Sequence, residues 1–372
     1  MWYKAAKPYL ESGEFAILGV VQEQHAERAQ LYKQWKQYDF PIAQDATTEL
    51  NLDAVPIPVL IDEYGVTRKV KARPQHLAKF MKQKYEPPTE QTAATKPAEN
   101  DLMTLIGEGN EIMRNVAGVD FDKAITKFEQ AVKLDKSNGK ALFSLGVAYR
   151  MRFDDSGNPE DFANASKNWA LALKSNPNQY IWRRRIEQYG PRLAKPYPFY
   201  DWVAKANKEI TDRGESPVSL KVELTGTEIT NPRAPALDGK VENPDPNSKI
   251  VKDEKFLNIS ATCVQSVAKD KSELRIHLHC NIKGAKWNHE APPMQVWIDE
   301  RSSGTPELRL IEYTGSNSED SLAAPKTVDF EFKLADMSSS ENAVRGYVLF
   351  HSCDDSGVCF YHRKDFDIPI KW

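Results

Sequence analysis

Two cysteines near the end of the chain, Cys353 and Cys359, are separated by the polar segment Asp354-Asp355-Ser356-Gly357-Val358 and follow an apolar run. A polar, glycine-containing turn between apolar arms predicts a tight hairpin that the two sulfurs would bridge. As a staple, such a pair is weak. Closing a loop of about 7 residues contributes ~2.4 kcal/mol of chain entropy, against ~3.2 for the roughly 18-residue loop between Cys263 and Cys280. A sulfur at a surface turn suits attack by another protein's thiolate, which needs access and an ionised nucleophile. Three chemistries stay open from these residues: thiol–disulfide exchange, a structural disulfide, and a metal site. The metal option adds His351 and His362, which with Cys353 and Cys359 make a mixed nitrogen and sulfur set suited to zinc or copper(I).

The other two cysteines read differently. Cys263 alternates with Leu257, Ile259 and Ala261, and Cys280 with Leu274, Ile276, Leu278 and Ile282, so both fall on apolar strand faces. A hairpin loop over residues 270–273 sets Cys263 directly opposite Cys280. That predicts buried neighbours with a structural role, either bonded or packed as small hydrophobes. A thiol in such surroundings has a raised pKa and little reactivity. On the opposite face of the same strand, His277 and His279 are expected to face solvent, where they offer a lesser metal option.

These residues need a scaffold, and the sequence shows three textures. Residues 1–85 alternate helix and strand signals. Phe15 to Val21 is a continuous apolar run, expected as a strand buried on both faces. A helix over 25–38 follows, carrying Leu31, Trp35 and Tyr38, then short strands at 40–42, 59–61 and 66–72 and a helix over 74–84. Residues 86–100 are rich in Pro, Thr, Ala and Glu and read as a linker. Residues 101–212 read as helical. Asp120 is placed to cap one helix with Ala124, Phe128, Ala131 and Leu134 inward, and Asn158-Pro159 starts another with Phe162, Ala165, Trp169 and Ala172 inward. A shift of 41 residues overlays the two faces, Phe121 on Phe162 through Ala131 on Ala172. The basic and aromatic stretch Trp182-Arg183-Arg184-Arg185, with Tyr189-Gly190-Pro191 and the tyrosines and phenylalanine of 196–200, suits either docking onto a neighbouring segment or binding an anion or peptide. From residue 217 the pattern becomes strand after strand, seven or so in all, as in an immunoglobulin-like sandwich.

The chain has 372 residues, 40% hydrophobic and 10% aromatic, with a net charge of −3 and mixed signs throughout. That is enough apolar material for two or three domains, and it makes no case for nucleic acid or a membrane surface as partner. No apolar run approaches the roughly 18 residues of a membrane span. The start, MWYKAAKPYL, lacks the apolar core of a signal peptide. The four cysteines, all after residue 260, point instead to an oxidising compartment.

The segment HSCDDSGVCF resembles the active-site hairpin of the N-terminal domain of the thiol–disulfide interchange protein DsbD, with Gly357 before the second cysteine and Phe360 and Tyr361 after it. The resemblance covers about residues 220–372. It implies that the pair exchanges electrons with thioredoxin-like redox proteins or domains, with Cys359 forming the mixed disulfide and Cys353 resolving it. It also implies a cap loop with an aromatic, for which Tyr313-Thr314-Gly315 is the candidate. No cofactor is implied, and the implied location is periplasmic or otherwise extracytoplasmic. The order of elements in 1–85, with Val55-Pro56 ahead of a strand ending Leu60-Ile61-Asp62 and then Gly65, resembles thioredoxin-like folds of the peroxiredoxin and TlpA branch. That implies a cis peptide bond before Pro56. Here the first strand and the dithiol motif of that family are missing and Trp2 to Leu10 reads as the tail of its first helix, so the chain is expected to begin part-way into the domain. Residues 101–212 resemble tetratricopeptide repeats, with Leu145, Gly146 and Tyr149 in the intervening helix. The expected fold class is therefore multidomain: a truncated α/β thioredoxin-like domain, an α-helical TPR-like spacer and an all-β immunoglobulin-like sandwich. The leading function is protein thiol–disulfide exchange, with a non-catalytic binding scaffold and a Cys/His metal carrier as alternatives.

Overall fold

The structure, a computed structural model, describes residues 2–50, 56–87, 101–115, 118–191, 202–220, 244–245, 250–267, 273–302, 305–313, 322–333 and 343–369. It is mixed α/β. By its internal contacts the chain divides into two compact units. The first comprises Met1–Met151, Asn168–Arg183 and Ala206–Leu220. The second comprises Arg152–Lys167, Arg184–Lys205 and Lys221–Trp372. No helix among the described residues is long and apolar enough to cross a membrane.

The first unit opens with α1 (Trp2–Glu11), β1 (Gly19–Val21), α2 (Ala26–Lys36) and β2 (Ile42–Gln44), followed by β3 (Val59–Ile61), β4 (Thr67–Val70) and α3 (Pro74–Lys82). β1 and β2 pair in parallel and β3 and β4 form an antiparallel hairpin. Asp62 builds the hairpin turn: its carboxylate accepts the Tyr64 and Val66 amides and pairs with Arg68 at 2.6 Å. The apolar faces of these helices meet over Ala6, Leu60, Ala72 and Leu77. The run from Phe15 to Val21 is not buried on both faces: Leu18 is 61% exposed and Val20 42%. Only residues 19–21 form a strand, and among the described residues β2 is its sole partner. Pro56 is exposed. Val55 lies outside the described residues, and with it the peptide bond before Pro56. Most of the expected linker, residues 88–100, also lies outside them.

The helices α4 (Leu102–Met113), α5 (Phe121–Leu134), α6 (Gly139–Ser156), α7 (Pro159–Ser175), α8 (Tyr180–Tyr189) and α9 (Trp202–Asp212) follow. Asp120 caps α5 by accepting the Lys123 amide at 3.0 Å, and the Asn158 side chain accepts the Glu160 amide at the start of α7. Ala124, Phe128 and Ala131 are fully buried, as are Phe162, Ala165, Trp169 and Ala172 to within 2%. Leu134 departs from the expectation at 59% exposure: it is the last residue of α5, past the turn that holds the others inward. Gly109 in α4 is required by close packing, since a Cβ there would meet the Phe128 ring at 2.5–2.8 Å. Of the basic and aromatic stretch, Trp182, Arg185 and Tyr189 are buried, and Arg184 pairs with Glu187. Residues 192–201 lie outside the described residues.

The second unit holds a β-sandwich. Its strands are β5 (Val251–Lys252), β6 (Leu257–Gln265), β7 (Glu273–Ile282), β8 (Lys286–Trp287), β9 (Gln295–Ser302), β10 (Thr305–Glu312), β11 (Lys326–Lys333), β12 (Ala343–Cys353) and β13 (Cys359–Pro369). One sheet runs β10-β9-β12-β13-β5, with β8 also on β12, and the other runs β11-β7-β6. Period-two alternation sends Val296, Ile298, Val344, Val348, Phe350 and Phe366 from the first sheet against Leu274, Ile276, Leu278, Val328 and Phe330 from the second.

The pairing of β6 with β7 corrects one expectation. Cys263 faces Ile276, and Cys280 faces Ile259. The pairing is shifted from the expected register, and the Ser266 amide continues it by bonding to the Glu273 carbonyl. The two cysteines therefore share a face but stand four residues apart along it, about 13 Å. Both are free thiols.

Candidate functional site

Cys353 ends β12 and Cys359 opens β13, and the two face each other as the last pair of an antiparallel ladder of eleven. They form a disulfide with a Cα–Cα distance of 4.0 Å. The turn between them is built by Asp354. Its backbone amide donates to the Val358 carbonyl, and its carboxylate accepts the Ser356 amide, the Ser356 hydroxyl and the Val358 amide at 2.6–3.0 Å. The hydrogen bonds from Ser356 and Val358 hold the Asp354 carboxyl below its ordinary value. Gly357 takes a left-handed conformation, φ +81°, which a glycine adopts without cost. Cys359 is exposed and Cys353 half-buried, and Val358 and Phe360 present apolar surface beside them.

The alternation of β12 and β13 sorts the neighbours. His351 and Tyr361 lie on the same face as the disulfide, two pairs inward, with rings stacked at 4.2 Å and 12°. Burial pushes the His351 imidazole down, and the nearby His362 adds to it. His362 points to the opposite face, into the core, against Phe350, Phe256 and Phe360. The proposed metal set of His351, Cys353, Cys359 and His362 is thus divided by the sheet itself, and its sulfurs are bonded to each other. No group of three or more metal-ligating side chains occurs among the described residues.

Tyr313 is half-buried against the sandwich core, with its amide bonded to the Met294 carbonyl at 2.8 Å. The ammonium of Lys326 lies 4.7 Å from its ring and 4.8 Å from that of Trp287. Thr314 and Gly315 lie outside the described residues. Burial pushes the Cys263 and Cys280 thiols up to about 12, Lys326 opposing slightly at Cys280. No protein-family model matches the chain, and no significant match is found among curated proteins.

His277 and His279 are not on a solvent face: each is 1% exposed. The outer face of β7 is covered by Phe153, Phe162 and Tyr189, whose rings pack on the two imidazoles or on each other. His277 Nε2 lies 2.8 Å from the Tyr189 carbonyl and Nδ1 2.7 Å from Asp329. Both neighbours are acceptors, so the ring donates twice. Arg275 adds a 2.8 Å bond to Asp329. Burial alone would push the Asp329 carboxyl up, but the His277 and Arg275 cations outweigh it and hold it well below the usual carboxylate range. This buried network was missed from sequence. The signal for it is the matched alternation of Arg275, His277 and His279 with Thr327, Asp329 and Glu331 on the strand that pairs with theirs.

Proposed function

We propose that the chain carries out protein thiol–disulfide exchange through Cys353 and Cys359, in an oxidising compartment outside the cytoplasm. The observation that carries this reading is a disulfide held at the turn of a β-hairpin with one sulfur exposed, while of the other two thiols Cys280 is buried and Cys263 half-buried, both pushed up to about 12 by burial. Cys359 is the sulfur an incoming thiolate reaches, and Cys353 is the one that leaves. The hairpin's resemblance to the N-terminal domain of DsbD supports the same roles. It makes the partner a dithiol of the thioredoxin-like class, with Tyr313 in a shielding position. The element order of residues 1–85 supports a thioredoxin-like domain, and the matched inward faces of α5 and α7 support a TPR-like spacer.

The test mixes the oxidised protein with a reduced thioredoxin and counts Cys353 and Cys359 thiols by alkylation and mass spectrometry. Reduction within minutes is expected. With a thioredoxin lacking its resolving cysteine, the mixed disulfide should form on Cys359 in wild type and should not form in Cys359→Ser. A hairpin still fully oxidised after hours, or a potential below about −300 mV, makes the bond purely structural.

A further inference from the structure

Exchange at this hairpin has a direction built into its register. Cys353 lies between two strands. On one side it faces Cys359, and on the other it faces Lys286 of β8. Directly opposed residues of an antiparallel pair project to the same face with Cβ atoms about 4.5–5.5 Å apart. Trp287, the next residue of β8, turns inward and is 3% exposed, which fixes Lys286 on the outer face with the disulfide. Lys286 is exposed and makes no ion pair among the described residues. Among the described residues, no such cation is paired opposite Cys359.

We infer that Lys286 is the electrostatic partner of the Cys353 sulfur, stabilising it as the leaving thiolate and so directing partner thiolates to Cys359. The inference rests on the exchange reading. In the step, the partner's thiolate sulfur bonds to Cys359 Sγ, the Cys353–Cys359 bond breaks, and its electron pair stays on Cys353 Sγ. The partner's second thiol, as thiolate, then attacks the mixed disulfide and releases the Cys359 thiolate. The partner ends as a disulfide and the hairpin as a dithiol, with the two protons shed by the partner available to the hairpin sulfurs.

The surrounding charges single out Lys286. Asp354 and Asp355 in the turn oppose an anion on Cys353. Lys255 is engaged with the field of Asp354 and lies 5.0 Å from the Phe256 ring. His351, on the disulfide face, is pushed toward its neutral form by burial, and Tyr361 carries no positive charge. Arg363 is four pairs away, bonded to Asp245 and Asp365 and stacked over Tyr347.

The test titrates Cys353 alone, in a Cys359→Ser protein, by thiolate absorbance between pH 5 and 10, where Cys263 and Cys280 stay silent. Lys286→Glu should lower the thiolate fraction at pH 7 by about three- to tenfold, Lys286→Gln by less, and Lys286→Arg hardly at all. The differences should shrink in 1 M KCl. In the disulfide form, Lys286→Glu should slow reduction by dithiothreitol by a similar factor. Titration curves that coincide for wild type, Lys286→Glu and Lys286→Arg overturn the inference. This readout needs no protein partner, so it can fail while thioredoxin still reduces the hairpin, and can succeed where thioredoxin does not.

Discussion

Replacing Asp329 by Asn tests whether the buried charges of β7 and β11 hold the helical segments to the sandwich. The change keeps the side chain's shape and removes its charge. Asp329 accepts one bond from His277 at 2.7 Å and one from Arg275 at 2.8 Å, and these partners are only 2% and 5% exposed. After the change Arg275 still has the Glu331 carboxylate at 3.7 Å. Breaking a buried ion pair costs about 3–5 kcal/mol. Asn retains one acceptor and Asp329 is 16% exposed, so the lower end, about 3 kcal/mol, is expected. Urea unfolding followed by near-UV dichroism measures it, and amide exchange should quicken in β7, β11 and the end of α8. The pH profile adds a signature. The folded carboxyl lies below its unfolded value of about 3.9. Its stabilisation is therefore complete above that value and disappears as pH falls through the lower folded one, and Asp329→Asn should lack that acid limb. Pairing it with His277→Gln should give clearly less than the sum of the two losses. Additive losses, or a cost below about 1 kcal/mol, would refute the reasoning. Because the network lies on the sheet opposite to the hairpin, the rate of disulfide reduction should not change.

Cys263 and Cys280, both pushed up to about 12 by burial, should resist iodoacetamide in the folded protein at pH 8 and react fully in denaturant; mass mapping of labelled peptides checks this, and rapid native labelling of either would contradict so raised a thiol. Gly346→Ala should destabilise by about 2–3 kcal/mol or more, because a Cβ at this position of β12 runs into the Trp297 carbonyl and the Phe366 ring, and a backbone atom in mid-sheet cannot yield; thermal unfolding is the assay. Neither ring nitrogen of His362 has a hydrogen-bond partner among the described residues, and burial pushes the imidazole down, so its neutral form stabilises the fold above about pH 6.5 and that share is lost as pH falls through the lower folded value. His362→Phe should leave stability at pH 7.5 unchanged or raised, and should reduce the loss between pH 6.5 and 5, as measured by urea titration at each pH.

The elements were largely legible, because each carries its own periodicity. The caps at Asp120 and Asn158, the inward faces of α5 and α7, and the hairpin of Cys353 and Cys359 all follow from residues within a few positions of one another. What failed to show was set by distant chain. The register of β6 on β7 depends on where a polar turn closes, and a shift of a few residues there parts Cys263 from Cys280. The burial of His277 and His279 depends on Phe153, Phe162 and Tyr189, roughly a hundred residues away, which cover a face that period-two reasoning assigns to water. The division of His351 from His362 could have been read in advance, since their facing pairs stand one step apart on the ladder and must point to opposite sides.

The ladder of β12 and β13 continues for ten more pairs beyond the disulfide, and β12 is also braced by β8 and β9. Cutting the sulfur link at its far end therefore frees almost nothing. Oxidised and reduced molecules should present nearly the same surface to whatever docks there, so a partner would have little shape difference by which to tell a spent molecule from a charged one. Traffic through such a hairpin would be governed by collision and driving force, in the manner of a wire rather than of a latch.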